Sequence, residues 1–323
     1  MGKHEERGLD IVIPSKTERF LQRTIQDVLQ HATGSIQVYP VLDGYDAPPE
    51  EVVDDPRVHY VYFPTTRYTK KRHAMNHVAK IGTGKYVMSL DAHCMVAEGF
   101  DETLIEYHQD NWISIPRRNR LDAENWCLQP QSDNRPSIDY EYIMYPLNYH
   151  RMSGSPREPK REDYHPALHG FKWDSRTIER ADVMVDDTMT FQGSMWMMTH
   201  EWYWKLGGMN IDLYTGWGQE SEELGLGTRL HGGRVITNKH TSYSHLHKGS
   251  KYGRMYRMDK ADIQKCNIAS YNYWVNDHRK LFISVIEQFA PVPGWPPDPE
   301  WRELLFNTPW SQPQPCDYGK GLE

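Results

Sequence analysis

Between Leu9 and Arg118, short apolar runs alternate with stretches of helical spacing, and this alternation limits the fold more than any other feature. "LDIVIP" (9–14), "SIQVYPVLDG" (35–44), "RVHYVYF" (57–63), "GKYVMSLDAH" (84–93) and "WISIPRR" (112–118) read as strands. "RFLQRTIQDVL", "RHAMNHVAKIG" and "GFDETLIEYHQ" read as helices between them. In the first helix Phe20 or Leu21, Ile25, Val28 and Leu29 share a face. Ser15 and Glu18 predict a capping box at its start, and Gly34 suits its stop. Repeated β-α-β units predict an α/β protein with a mostly parallel central sheet flanked by helices. Ligands of such sheets bind beyond the carboxyl ends of the strands. Asp43 and Asp91 both fall at such ends.

The pattern changes after the first third. Residues 119–190 are polar and irregular and predict a long insertion across the sheet, with "SGSPREPKRED" (153–163) its most mobile part. Order returns with "MTFQGSMWMMTHEWYWKLGG" (189–208), "GWGQESEELGLGTRLHGG" (216–233) and the strand-like "RVITNKHTSYSHLH" (234–247). A helical stretch from about 258 to 288 and a Pro/Trp-rich tail, "PVPGWPPDPEW", follow. No apolar run is long enough to predict a membrane span, and "MGKHEERGLD" has no signal-peptide core. Cysteines at 94, 127, 266 and 316 make neither a disulfide framework nor a zinc ribbon, so a cytoplasmic, reducing setting is expected. A net charge of −7 argues against a protein that only coats nucleic acid, but allows a local basic groove.

Chemistry concentrates in "SLDAHCMV" (89–96). Asp91 and His93 stand two apart at a strand end and share a face, while Cys94 points the other way into the core. One carboxylate and one imidazole make half of a metal site, or a plain solvated strand end. Glu220 and Glu223 stand three apart, so one helical face can carry both. A carboxylate there can take the proton of an attacking hydroxyl, hold sugar hydroxyls, or simply charge a helix start.

Several segments in order resemble one known group. "VIPSKTERFLQRTIQDVL…VYPVLDG" resembles the opening of family 2 type glycosyltransferases, which have the Rossmann-like GT-A fold. "LDAHC" resembles the Asp-x-His metal motif typical of polypeptide N-acetylgalactosaminyltransferases. "GWGQESEE" resembles their Trp-Gly-Gly-Glu-Asn-x-Glu segment, and "HGGRV…SYSHLHK" their following Gly-Gly strand with its His-containing end. The resemblance covers roughly residues 9–250, and ordered motifs are far more specific than any single one. It implies a GT-A catalytic domain over 1–250 and a C-terminal helical extension over 251–323.

The resemblance also implies an activity: metal-dependent transfer of a sugar from a UDP-sugar to an acceptor hydroxyl, with Mn2+ or Mg2+. It makes Asp91 and His93 metal ligands and His245 the third, with His247 a competitor on the same strand face. Asp43 would take the imide N–H of uracil or serve only as a turn acid before Gly44. Pro14 and Ser15 would lie near the base or ribose, or merely end the strand. Arg72, give or take one residue, would approach the donor, and Asn76 would face the site. Gly193 and Ser194 stand where relatives have Gly-Gly at the sugar pocket. Trp217 would stack on a sugar or fill the core. Glu220 matches the active-site acid, while Gln219 replaces a glycine. "HKGSKYGRMYR" (247–257) suits a lid or a plain basic loop. The metal and acid motifs resemble the retaining branch.

A metallohydrolase lacks support, because no H-E-x-x-H occurs. A nucleic-acid-binding protein could use "RYTKKRH" and "RRNR" but leaves the motif order unexplained. The two readings merge if the acceptor is a hydroxymethylated base in DNA. Its phosphates would then meet Arg67, Lys70, Lys71, Arg117, Arg118 and Arg120. Protein, glycan and small-molecule acceptors stay open.

Overall fold

The structure is a computed structural model, and it describes residues 5–63, 71–131, 136–148, 166–215, 218–253 and 259–307. The first units are β1 (Glu5–Ser15), α1 (Leu21–His31), β2 (Ile36–Asp43), β3 (Val61–Phe63), α2 (Lys71–Ile81), β4 (Gly84–Leu90), β5 (Cys94–Val96), α3 (Phe100–Glu106) and β6 (Trp112–Asp122). The insertion carries β7 (Cys127–Leu128), β8 (Glu141–Ile143), β9 (Gly170–Lys172), α4 (Asp174–Glu179) and β10 (Val185–Asp187). Then come β11 (Met195–Thr199), α5 (His200–Lys205), α6 (Glu220–Leu230) and β12 (Arg234–His245). The chain continues through α7 (Gly249–Tyr252), α8 (Lys260–Tyr271), α9 (Arg279–Phe289) and α10 (Glu300–Phe306). No described helix is long and apolar enough to cross a membrane.

The main sheet runs β10-β12-β6-β11-β4-β1-β2-β3. β3, β2, β1 and β4 are parallel to one another. β11 is inserted antiparallel between β4 and β6, and β6 pairs in parallel with β12. Two antiparallel steps restore direction, so β4, β6 and β12 all run the same way. Their carboxyl ends therefore meet along one edge, together with the start of β11.

Alternation along β1 explains the layers. Leu9, Ile11 and Ile13 point to one face and pack with Leu21, Ile25 and Val28 of α1 and Phe100 and Leu104 of α3. Val12 points to the other and packs with Ala74, Met75 and Val78 of α2 and Leu224 of α6. Each such buried aliphatic contributes about 1.5–3 kcal/mol. Cys94 is fully buried in the first layer, as its register predicts. A third cluster joins Tyr140, Ile143 and Leu168 of the insertion to Trp274, Phe282, Trp301 and Leu305, so the C-terminal helices share a core with the insertion.

Three expectations are corrected. Ser15 Oγ accepts from the Glu18 amide at 3.4 Å, one half of a capping box, but this closes a turn ahead of the helix, and α1 begins only at Leu21 with no side-chain cap. Ser15 ends β1, and its hydroxyl lies 2.5 Å from Tyr45 Oη. A single tight turn between them, with Thr17 at φ 51°, delays the helix. The stretch 258–288 is two helices separated by a π-helical turn over Asn272–Asp277. The Pro/Trp-rich tail contains a helix, α10, held by Trp295 donating to the Ile143 carbonyl at 2.8 Å and by Trp301 in the apolar cluster.

Candidate active site

The shared strand edge opens into a cleft of about 1260 Å³. At its centre Asp91 follows β4, His93 precedes β5, and His245 ends β12. β5 pairs with β12 so that His245 lies opposite Cys94, which brings the two imidazoles to 4.9 Å between centroids. His245 Nε2 is 3.4 Å from Asp91 Oδ2. One ligand atom from each of the three residues lies within 4.8 Å of the others. His93 Nδ1 and both ring nitrogens of His245 are buried without a hydrogen-bond partner among the described residues. Burial pushes both imidazoles below their ordinary range, and Asp91 only partly opposes this. Burial would raise Asp91, but Lys71 and the two histidines outweigh it and hold the carboxyl well below the usual range. An ionised carboxylate beside two neutral imidazoles fits a divalent cation, since both ligand types must be deprotonated to bind. His247 is exposed and stands outside this group.

The donor side follows β1 and β2. Asp43 Oδ2 accepts from Lys16 Nζ at 3.2 Å, while Oδ1 is buried with no partner among the described residues. Pro14, Ser15 and Asp43 all line the cleft. The cation at the metal group is Lys71 rather than Arg72. Lys71 donates to Asp91 Oδ1 at 3.0 Å and to the Gly193 carbonyl, and lies 3.4 Å from Glu220 Oε2. A Cβ at Gly193 would come 2.7 Å from Glu220 Oε2, so any larger residue there would push that carboxylate aside. Ser194 is buried, donates to Gln192 Oε1 at 2.9 Å and lies 2.6 Å from Tyr243 Oη.

Arg72 also lines the cleft, but its guanidinium is engaged by the protein itself. It pairs with Glu223, donates to the Gly218 carbonyl at 2.9 Å and stacks 4.5 Å over Tyr214. Glu223 also accepts from the Asn210 amide at 2.6 Å and does not line the cleft. The pair fixes the loop entering α6, leaving Glu220 alone of the two acids to face the cleft beside Lys71. Asn76 also points elsewhere. Its amide bonds Met209 at both N and O and accepts from Tyr203 Oη at 2.6 Å. Trp217 lies outside the described residues. Gln219 takes a left-handed conformation, at φ 64°, of the kind that favours glycine, and its amide donates to Leu168 O at 2.8 Å and Asn267 Oδ1 at 3.0 Å.

Other cleft residues escaped the sequence reading. Glu18, read as a cap, holds Lys248 Nζ at 2.5 Å and stands 3.7 Å from His93 Nδ1. On the far side, Arg118 donates to Glu141 Oε1 at 2.8 Å. Glu222 accepts from the Gly170 amide and Ser221 Oγ, each at 3.0 Å. Burial above all, with Glu141 adding to it, pushes the Glu222 carboxyl up to about 7. No pattern joined these groups, because the contacts link residues from 23 to 230 positions apart and form only in the fold.

The cations expected to meet DNA are mostly occupied. Arg117 binds Asp139 in a bidentate pair at 2.7 and 2.8 Å, Arg118 binds Glu141, and Arg120 donates to the Pro136 carbonyl at 2.9 Å. Arg67 and Lys70 lie outside the described residues.

Comparison with known proteins places this geometry. The profile of "Glycosyl transferase family 2" matches residues 10–207, and that of "N-terminal domain of galactosyltransferase" matches 181–249. The chain is 31% identical over 162 residues to "Putative polypeptide N-acetylgalactosaminyltransferase 13" of Drosophila melanogaster, covering 50% of this chain and 25% of that protein. It is 23% identical over 249 residues to human polypeptide N-acetylgalactosaminyltransferase 10, covering 74% of this chain and 37% of that one. The chain thus spans about a quarter to a third of these relatives. A crystal structure of GalNAc-T7 with UDP, GalNAc and Mn2+ superposes with a TM-score of 0.61 at 14% identity, over 94% of this chain and 54% of that one, which shows the shared GT-A fold. With its profile matched across more than half the sequence, the chain belongs to glycosyl transferase family 2.

Proposed function

We propose that the protein transfers a sugar from a UDP-sugar to an acceptor hydroxyl with the help of a divalent cation, Mn2+ by preference. The carrying observation is the Asp91–His93–His245 group in the cleft, whose buried nitrogens, unpaired among the described residues, face an ionised carboxylate. These three residues would hold the cation, which supplies positive charge to a diphosphate leaving group. Asp43 presents an unpaired carboxylate oxygen at the end of β2, suited to the imide N–H of uracil. Lys71 keeps Asp91 ionised and holds both Asp91 and Glu220 in place. Glu220 then accepts hydrogen bonds from sugar hydroxyls.

In the transfer, the bond from the sugar C1 to the diphosphate oxygen breaks and a bond from C1 to the acceptor oxygen forms. The acceptor proton leaves with the departing UDP if configuration is retained. Retention is the outcome we assign. It is supported by the motif order and by Glu220, which is tied through Lys71 to the metal side of the cleft rather than set against the opposite face. The acceptor we assign is an uncharged hydroxyl compound rather than DNA, because the described cations expected to meet phosphates are held in ion pairs or by backbone carbonyls.

The test is UDP release from UDP-glucose, UDP-galactose and their N-acetylamino forms, with Mn2+ and with chelator, and the anomeric configuration of the product by NMR. Metal-independent release, or turnover of only non-uridine donors, contradicts the assignment. An inverted product contradicts the stereochemistry alone.

A further inference from the structure

The far end of the cleft holds polar groups that the transfer itself does not use. Glu141, Glu222 and Arg118 are 8%, 4% and 6% exposed, and all three line the cavity. Arg118 spends one nitrogen on Glu141, and its Nε and other terminal nitrogen have no partner among the described residues. Leaving such donors unsatisfied costs about 1–3 kcal/mol or more. Glu222 has no cation of its own among the described residues. A Cβ on Gly170 would lie 3.3 Å from Glu141 Oε2 and 3.6 Å from Glu222 Oε1, so both carboxylates converge on the bare backbone of β9. Phe171, the next residue, also lines the cavity and offers an aromatic surface. Gln219 adds a buried amide oxygen with no partner, held in place by Leu168 and Asn267.

Two carboxylates, an unsaturated guanidinium and an aromatic ring around a small void match one ligand chemistry. Neighbouring hydroxyls of a sugar ring donate to carboxylates, its oxygens accept from arginine, and its C–H face packs on an aromatic. A phosphate would face both carboxylates and be repelled. We propose that this end of the cleft is an acceptor subsite for an uncharged sugar, with Glu222 and Glu141 receiving its hydroxyls, Arg118 donating to its oxygens and Phe171 carrying its apolar face. The proposal rests on the transferase reading above and deepens it: the acceptor is itself a carbohydrate.

The experiment offers the Mn2+-loaded protein a UDP-sugar with methyl glucoside, galactoside, mannoside or xyloside. Parallel arms contain glucose 6-phosphate, glucuronate, a Ser/Thr peptide and hydroxymethylated DNA. Transfer to a neutral glycoside is expected, with Glu222→Gln and Phe171→Ala each raising its KM about tenfold. Phe171→Tyr should restore most of that affinity, and UDP affinity by calorimetry should stay within twofold in every variant. Transfer to peptide, DNA or the charged sugars in preference to all glycosides overturns the proposal. So does donor hydrolysis with no transfer to any glycoside, or a parallel loss of UDP affinity and acceptor KM. Failure of the wild-type protein to bind UDP with Mn2+ is a separate result, and it removes the transferase reading beneath the proposal.

Discussion

Glu222→Gln should stabilise the protein in alkali and leave it unchanged in acid. The Glu222 carboxyl is pushed from 4.5 up to about 7, by burial first and the nearby Glu141 besides, against hydrogen bonds from Ser221 and Gly170. A carboxyl whose folded value lies above its unfolded one binds a proton more tightly when folded. Its contribution is fully present below pH 4.5 and is lost as pH rises through about 7. At about 1.4 kcal/mol per pH interval, the ionised form costs the fold ~3 kcal/mol by pH 8. Glutamine cannot ionise, and its amide oxygen can still accept from the Gly170 amide. Urea unfolding of both proteins at pH 5, 6, 7, 8 and 9 measures the difference, and all other titrations cancel in the comparison. The variant should match the wild type near pH 5 and exceed it by about 2–3 kcal/mol at pH 8 to 9. Parallel curves at every pH, or a variant weaker in alkali, refute the argument.

His245→Ala should abolish tight Mn2+ binding by calorimetry while His247→Ala changes it little, and equal losses would move the third ligand. Asp43→Ala should cost UDP about tenfold in affinity, the scale of one charged hydrogen bond, and shrink any preference over CDP; an unchanged preference removes Asp43 from base recognition. Arg72→Met or Glu223→Gln should each destabilise by about 3–5 kcal/mol, because each leaves a buried charge unpaired, and the double variant should cost less than the two together; strict additivity would mean the pair is not coupled. Chelator should weaken UDP binding more than tenfold but leave uridine binding nearly unchanged, and equal effects on both would separate the metal from the diphosphate.

Period-two and period-3.6 patterns carried most of the fold, because β1, β2 and β4 are buried on both faces and their helices are amphipathic. The antiparallel β11 was invisible to that logic: its "MWMM" is an unbroken apolar run, so periodicity gives it neither direction nor neighbours. Asp43, Asp91 and His93 were legible because strand ends in a β-α-β sheet have a known place. His245 could be separated from His247 only by its pairing with Cys94, a contact 151 residues long. Arg72 and Lys71 differ by one helical step of 100°, which turns one toward Asp91 and the other toward Glu223. Glu18 misled for a local reason. Ser-x-x-Glu before an apolar run is a good helix start, but Ser15 is claimed by Tyr45 and the turn at Thr17 postpones the helix.

Charge gives the proposed metal a purpose at the proposed donor end. Glu18, Asp43, Asp91 and Glu220 line that end of the cleft and are met by Lys16, Lys71 and Lys248. Lys71 is held charged: burial opposes this, but Asp91 and Glu220 outweigh it and raise its ammonium above the ordinary range. Four carboxylates against three ammonium groups leave one negative charge, with both imidazoles neutral. A diphosphate entering such a pocket meets repulsion made stronger by the low local dielectric. A divalent cation on Asp91, His93 and His245 reverses the sign of the pocket by two charges, and the same diphosphate is then attracted. The lysines cannot do this alone, since each already offsets a carboxylate within 3.4 Å or less. Under the same proposal a nucleoside without diphosphate brings no such charge, and its recognition would fall to Asp43 and the ends of β1 and β2.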